Sequence, residues 1–271
     1  MRLIHLDSRC VIDDDGCAIN LKSALARSLP SCSPLPERTG RLASVGAGPS
    51  VRDFLGELRG YDEIWAVNGA YGFLLDHGIV PHGFVALDPV PGLLEYVQRA
   101  HKDTVHYISL MCDPCVFDAL SGFNVMTWIP AQDHTNLVFK PGSFLVPGGT
   151  TALTRTPALA KMLGWRDVTI FGADSSFSDG RYAYKDGTYK EDSKSEIIEV
   201  WVGDEGPFQT EEALMKQVSQ FGVLSQTEAI KLSFRCGGLL DAYLRAPMID
   251  VDLHDSYNKF QADKHDRLQA S

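Results

Sequence analysis

RLASVGAGPSVRDFLGEL, at residues 41–58, contains one complete unit of the architecture that much of the chain repeats. Its first five residues form a short apolar run, and a turn with glycines at 46 and 48 follows directly. Beyond the turn, apolar residues recur at the spacing of one helix face: Val51, Phe54, Leu55 and Leu58. The stretch therefore predicts a strand, a glycine turn and a helix.

The same alternation continues along the chain. Further apolar, strand-like runs lie at residues 63–67, 83–87, 105–110, 124–128 and 167–171, with helix-like segments between them and an amphipathic helix at 151–163. Apolar strands that alternate with helices are typical of a mainly parallel sheet covered on both faces. We therefore predict an α/β fold of the doubly wound, Rossmann-like type, followed by a C-terminal flap and extension.

Shifts in composition divide the chain into three parts. Prolines at 30, 34 and 36 mark residues 1–40 as an N-terminal extension and linker, because proline continues neither a helix nor a central strand. Residues 41–245 form the predicted main domain, and residues 246–271 form a charged tail. The polar segment 178–196 is typical of a flap over a site, and residues 13–16 and 206–209 are predicted turns.

The composition excludes several classes of protein. With 44% hydrophobic and 22% charged residues, the chain of 271 residues is neither disordered nor collagenous. Its net charge of -10 disfavours non-specific binding to nucleic acid, whose affinity depends on lysine and arginine. No apolar run is long enough for a bilayer span, and residues 1–10 lack the apolar core of a signal peptide, so we expect a cytoplasmic chain. The pair Cys112 and Cys115 lacks the second pair that a zinc site needs.

Two glycine turns are candidate anion sites, because backbone N–H groups at a helix N-terminus can hold a phosphate. The candidates in the first turn are Gly46, Gly48, Pro49 and Ser50. The candidates in the second turn, before the helix 151–163, are Gly149, Thr150 and Thr151, which would contact an anion or a ribose. The alternatives are a merely tight turn for the first and a capped helix for the second.

Three polar side chains follow predicted strands. Asn68 comes after the run 63–67, Asp88 after the run 83–87, and Asp174 after a short glycine turn that ends the run 167–171. Ligands of open parallel sheets bind outside the carboxyl ends of the strands. Two carboxylates beside a phosphate site would suit Mg²⁺, which binds one or two carboxylates together with ligand phosphates. The alternatives are a turn-forming role for Asn68 and helix capping by either aspartate.

Five motifs occur in order along residues 41–245: GAGPS at 46–50, WAVNGA at 65–70, HGIVP at 77–81 with VALDP at 85–89, GGTT at 148–151 with ALAKMLGW at 158–165, and FGADSSF at 171–177 with YAY at 182–184. Together they resemble the MptE-like family, whose founding activity is the archaeal 6-hydroxymethyl-7,8-dihydropterin diphosphokinase, and in particular its phage and bacterial branch. They are also similar to bacterial sialyltransferases and flagellin-modifying glycosyltransferases, which act around a CMP-sugar. The resemblance implies a nucleotide donor that binds the turn 46–50 and Asn68.

The resemblance leaves three functions open. The first is Mg²⁺-assisted diphosphoryl transfer from ATP to a small hydroxymethyl acceptor, with Asp88 and Asp174 as catalytic metal ligands. The second is sialyltransferase-like transfer from a CMP-sugar or another nucleotide-sugar; Tyr184 or Tyr182 would hydrogen-bond the leaving phosphate, but no histidine lies between residues 134 and 254 to serve as the base expected for it. The third is a non-catalytic nucleotide-binding accessory protein of a phage, present in the host cytoplasm. A homo-oligomer is compatible with all three.

Overall fold

The computed structural model describes residues 12–131, 143–178, 180–182, 184–185, 188–189, 196–226 and 229–246. The first seven strands are β1 (Arg41–Val45), β2 (Glu63–Val67), β3 (Gly83–Ala86), β4 (Val105–Ser109), β5 (Asn124–Pro130), β6 (Leu145–Val146) and β7 (Asp167–Phe171). Two antiparallel pairs follow, β8 (Tyr184–Lys185) with β9 (Thr188–Tyr189) and β10 (Ile198–Val202) with β11 (Glu205–Thr210). The last described strand is β12 (Lys231–Arg235).

Eight of these strands form one parallel sheet in the order β12-β7-β1-β2-β3-β4-β5-β6. From β1 the chain adds strands in one direction as far as β6, and it then crosses back to place β7 on the other side of β1. The strand order therefore reverses between β1 and β7, which is the switch point of an open α/β sheet. The predicted Rossmann-like α/β fold is confirmed.

Helices cover both faces of the sheet. One face carries α1 (Asp14–Ala26), α2 (Leu55–Leu58), α3 (Ala70–Asp76), α4 (Leu94–Val97) and α5 (Pro114–Ala119), and the other carries α6 (Ala152–Met162), α7 (Glu212–Ser225) and α8 (Gly238–Arg245). Each face has its own apolar core, because the side chains of a strand alternate between the two faces. In β1, for example, Ala43 and Val45 belong to one core and Leu42 to the other.

The N-terminal segment packs on the domain along its described length. In α1, the Asn20 side chain donates to the carbonyl oxygens of Pro89 (2.9 Å) and Met111 (3.0 Å), in the loops after β3 and β4. Farther along, Cys32 N donates to Thr127 O in β5 (2.7 Å). The segment predicted as an extension and linker is thus hydrogen-bonded to the sheet and to its loops.

Two predicted turns belong to regular elements instead. Residues 14–16 form the first turn of α1, since Asp13 caps the helix by accepting a hydrogen bond from Gly16 N. Residues 206–209 lie in β11, where pairing with β10 prevails over the turn preference of the Gly-Pro pair; the turn itself falls at residues 203–204. No helix in the described ranges is both long and apolar enough to cross a membrane.

Candidate functional site

The loops after β1 and β7 are joined directly to each other at the switch point. Gly46 N donates to Phe171 O (2.8 Å), and Gly48 N donates to Gly172 O (3.0 Å). A Cβ atom on Gly48 would lie 2.6 Å from Gly172 O, which is closer than two such atoms can approach. These glycines therefore let two backbones come together.

Asp174, in the loop after β7, accepts hydrogen bonds from two other loops. Its side chain is buried, with 5% of the residue exposed. Oδ2 accepts from Ser50 N (2.8 Å), while Oδ1 accepts from the Ser50 hydroxyl and from Gly237 N (3.1 Å). Asp174 thus ties the loop after β1 to the loop between β12 and α8, and it also holds the turn that begins at Pro49.

The structure therefore brings the first predicted anion site and Asp174 together. The donors of the turn and the acceptors at the end of β7 and in the loop after it are hydrogen-bonded to each other. The N–H group of Gly46 donates to the last residue of β7, those of Gly48 and Ser50 donate to the loop after it, and Pro49 has no N–H group. In this conformation these three N–H groups bind groups of the protein, and the anion site in the turn 46–50 stays a prediction.

Replacing Gly48 by alanine should destabilise the fold, since the new Cβ would overlap the backbone of Gly172 and the carboxyl group of Asp174. We expect the free energy of unfolding to fall by about 2–4 kcal/mol in urea denaturation. The matched control is Gly72→Ala in α3, where a Cβ meets no atom within 4 Å. Alanine there should raise the stability by about 0.5–1 kcal/mol. A Gly48→Ala protein as stable as the wild type would refute the close contact.

The second glycine turn is held by α7. Gln220 Oε1 accepts hydrogen bonds from Thr150 N (3.0 Å) and from the Thr150 hydroxyl (3.2 Å), and a Cβ on Gly149 would overlap this amide. Thr151 caps α6 and accepts from Gln217 Nε2 (3.1 Å). The three predicted residues do lie together, in the capped-helix arrangement. The two buried glutamines were not among the residues predicted from the sequence; the available signal was that both lie among the apolar positions of an amphipathic helix.

The two serines after Asp174 extend this network. Ser175 adopts a left-handed backbone conformation (φ 53°). Its hydroxyl group donates to Gln217 Oε1 (2.9 Å). The Ser176 hydroxyl accepts from Leu239 N (3.1 Å) in the first turn of α8. The loop after β7 therefore connects the sheet to both C-terminal helices, a structural role that the motif alone did not reveal.

A second polar pair lies at the carboxyl ends of β2 and β3. Asn68 has a left-handed backbone (φ 48°), and its Nδ2 donates to Asp88 Oδ2 at 3.1 Å. Asn68 Oδ1 is buried without a hydrogen-bond partner in the described part of the chain. Both side chains are half-buried. These two sequence-based candidates thus touch each other, and the amide presents an unsatisfied acceptor.

Two cysteines, Cys112 and Cys115, follow strand β4, and the pKa of each thiol is raised. Cys112, in the loop after β4, is fully buried, and burial, together with the charge of Asp88, raises the pKa of its thiol well above the usual range. Burial, followed by the effects of Asp113, raises the pKa of Cys115 to about 11. A raised pKa disfavours the thiolate, which is the form that acts as a nucleophile or as a metal ligand.

The flap predicted at 178–196 is described in part. The strand β8, which contains Tyr184, packs against α3, the helix that Asn68 precedes. The side chain of Tyr184 lies outside the described residues. Tyr182 is half-buried, and its ring centroid lies 4.8 Å from that of Phe177.

The surroundings of the two aspartates bear on the predicted Mg²⁺ site. Asp174 accepts three hydrogen bonds from N–H and O–H donors in this structure, and its role as a Mg²⁺ ligand stays a prediction. Within the described ranges, no group of three or more histidine, cysteine, aspartate or glutamate side chains could hold a metal ion. Asp88 accepts a hydrogen bond from Asn68 Nδ2 at the carboxyl edge of the sheet, and a Mg²⁺ ion shared with ligand phosphates stays a prediction there too.

These features define the chain as a Rossmann-like α/β protein with polar groups along the carboxyl edge of its sheet. A family model described as 6-hydroxymethylpterin diphosphokinase MptE-like matches residues 20–180. The match covers more than half of the chain, and the chain therefore belongs to the MptE-like family. This membership supports its assignment to the transferases.

Solved structures share the fold, and one of them is a glycosyltransferase. It is the MAf glycosyltransferase from Magnetospirillum magneticum AMB-1, with a TM-score of 0.59 and 17% sequence identity. The similarity covers 93% of this chain and 42% of that chain, so the protein spans less than half the length of its structural neighbour. No curated protein matches the sequence.

Proposed function

We propose that the protein is a nucleotide-dependent transferase that moves a group from a nucleotide donor to the hydroxyl group of a small acceptor, with Asp88 as the general base. The observation that carries this proposal is the pair of Asn68 and Asp88. The pair lies at the carboxyl edge of the sheet, where ligands of this fold class bind.

The geometry of Asn68 is costly for the fold. A left-handed conformation at a residue other than glycine costs about 1 kcal/mol. A buried oxygen without a partner costs about 1–3 kcal/mol more. Proteins retain unfavourable backbone conformations and buried unpaired polar atoms mainly at functional sites. A ligand N–H or O–H group, from a base, a ribose or the acceptor, would satisfy Oδ1 while Nδ2 orients the carboxylate of Asp88.

A nucleotide-sugar is the donor that the site favours. Asp174 accepts hydrogen bonds from Ser50 and Gly237, so we place the chemistry on Asp88, beside Asn68. One carboxylate is sufficient for glycosyl transfer. The acceptor oxygen attacks the anomeric carbon of the sugar, and the proton of the acceptor hydroxyl passes to Asp88. The bond between the anomeric carbon and the phosphate oxygen breaks, and its electron pair stays on the phosphate of the nucleotide. The glycosyltransferase with the same fold supports this choice.

Diphosphoryl transfer from ATP is the second candidate, because the matching family model is described by that activity. In this case Asp88 and the ATP phosphates would hold Mg²⁺, which would neutralise the charge that develops on the transferred group. The acceptor would be a small hydroxymethyl compound, and Asp88 would act as a metal ligand instead of as the base.

Calorimetric titration with CMP, a CMP-sugar, GTP and ATP, each with and without Mg²⁺, distinguishes the candidates. We expect binding of CMP or the CMP-sugar that does not depend on Mg²⁺. Binding of ATP only in the presence of Mg²⁺ would replace this proposal by the second candidate. If none of the nucleotides bound under either condition, both proposals would be refuted.

Asn68→Gly tests the amide separately from the backbone, because glycine adopts the left-handed conformation without strain. Loss of a hydrogen bond to the ligand should weaken nucleotide binding by about tenfold. The matched control is Ser28→Gly, at another left-handed position (φ 52°) that follows α1. The control should leave the affinity unchanged; equal effects of the two substitutions would rule out a role for the amide.

A further inference from the structure

The most buried arginine of the described chain has no acidic partner there. Arg155 lies in the first turn of α6 and is fully buried, with 0% exposed. Its Nη1 donates to Val146 O (2.9 Å) and to Ala131 O (3.4 Å), while Nε and Nη2 are buried without a hydrogen-bond partner in the described ranges. Other arginines, all at least partly exposed, form ion pairs: Arg27 with Asp118, Arg38 with Glu63, Arg99 with Asp76, Arg235 with Glu57, and Arg245 with Glu205.

The position of Arg155 places its guanidinium at the ligand-binding edge of the sheet. Val146 is the last residue of β6, and Ala131 directly follows β5, so both carbonyl oxygens lie at the carboxyl ends of strands. The aliphatic part of the side chain packs beside Gly148, where a Cβ would lie 2.9 Å from Arg155 Cγ. The guanidinium therefore sits at the end of the sheet formed by β5 and β6, on the edge that also carries Asn68 and Asp88.

The two unpaired nitrogens belong to the same edge of the guanidinium plane. Nε–H and one N–H of Nη2 point side by side, and this spacing matches two oxygens of a carboxylate or a phosphate. Burial lowers the pKa of Arg155 to about 10, so the group still carries its charge at neutral pH. A buried charge without a counter-charge is strongly unfavourable, and an anion between Nε and Nη2 would remove this cost.

We propose that Arg155 binds an oxyanion of the substrates, a phosphate or a carboxylate, in a bidentate manner at the β5–β6 end of the sheet edge. The proposal rests on the proposed function in one respect only, which is that the anion belongs to a substrate of the transferase. It assigns Arg155 a ligand that the sequence motifs did not suggest.

The test compares the wild type with Arg155→Met in titrations with inorganic phosphate, against sodium chloride of equal ionic strength. At phosphate near one hundred times its Kd, the thermal midpoint of the wild type should rise by about 5 °C or more. Arg155→Met should lack this rise, and without phosphate it should be at least as stable as the wild type, because methionine removes a buried unpaired charge. Arg59→Met, at an exposed arginine, is the control and should respond like the wild type.

A second variant keeps the test decisive if methionine disrupts folding. Arg155→Lys retains the charge but loses the two parallel donors, so its affinity for phosphate should fall by about tenfold. The proposal is overturned if phosphate leaves the wild type unchanged, if Arg155→Met responds like the wild type, or if Arg155→Lys binds phosphate as tightly as the wild type.

Further titrations identify the source of the anion. A loss of affinity in Arg155→Met for CMP, but not for cytidine, assigns the site to the donor phosphate. A loss for acetate, with CMP unaffected, assigns it to a carboxylate. Phosphate binding that requires Arg155, in a protein that binds none of the nucleotides, would support this inference while refuting the proposed function. Nucleotide binding that is unaffected by phosphate and by Arg155→Met would support the proposed function and refute the role of Arg155.

Discussion

Asp88→Asn should reduce turnover by about 10²–10⁴-fold, the range that a general base contributes. Asparagine has nearly the same shape and can still accept the hydrogen bond from Asn68 Nδ2. It cannot accept the proton of the acceptor hydroxyl at neutral pH. The nucleotide donor should therefore bind with unchanged affinity, while product formation is almost lost. Chromatography of the released nucleotide measures product formation. The thermal midpoint should remain within a few degrees of the wild type.

Asp113→Asn is the matched control for this substitution. Asp113 also follows a strand of the same sheet, β4, and its side chain caps α5 by accepting from Cys115 N (2.9 Å). Asparagine is an equally good capping residue, so both turnover and stability should be retained. Full activity of Asp88→Asn would exclude Asp88 as the base; loss of activity together with unfolding would show that its role is structural.

Asp174→Ala should cause the largest loss of stability. The substitution leaves Ser50 N, the Ser50 hydroxyl and Gly237 N without their acceptor, around a residue that is buried. Breaking charge-assisted hydrogen bonds of this kind costs about 3–5 kcal/mol in total. For a domain of this size we expect the thermal midpoint to fall by about 10 °C, measured by differential scanning calorimetry.

Two further variants sharpen this result. Asp174→Asn retains one acceptor oxygen but turns an N–H₂ group towards the donors of the neighbouring loops. Its stability should therefore lie between those of the wild type and Asp174→Ala. Asp167→Ala removes a carboxylate from the opposite end of the same strand, where Asp167 pairs with the exposed Lys231, and should change the stability by about 1 kcal/mol or less. An unchanged midpoint of Asp174→Ala, combined with the loss of a Mg²⁺-dependent activity, would favour the original hypothesis of a metal ligand.

The fold was predictable because its signals are local. Apolar runs of about five residues, glycine turns and helical spacing recur along the chain, and each depends on neighbours within a few positions. The residues after the strands could be predicted as candidates for the same reason. Asn68 and Asp88 were expected at one edge, and they are in contact there.

The partners of the other candidates could not be predicted in this way. Asp174 accepts hydrogen bonds from residues 124 and 63 positions away, and Thr150 donates to one 70 positions away. Such pairs form only when distant loops are packed together. The same glycine turn is compatible with a bound phosphate or with a neighbouring backbone, and only the packing distinguishes the two.

The pattern of the chain was thus sufficient for the α/β class, the positions of the strands and the edge where ligands bind. Tertiary packing decided which polar groups are satisfied within the protein and which are left for a ligand, because burial and hydrogen bonding depend on segments far apart in sequence. It closed the turn 46–50 onto Asp174, and it left Asn68 Oδ1 and the Nε and Nη2 atoms of Arg155 without partners in the described structure.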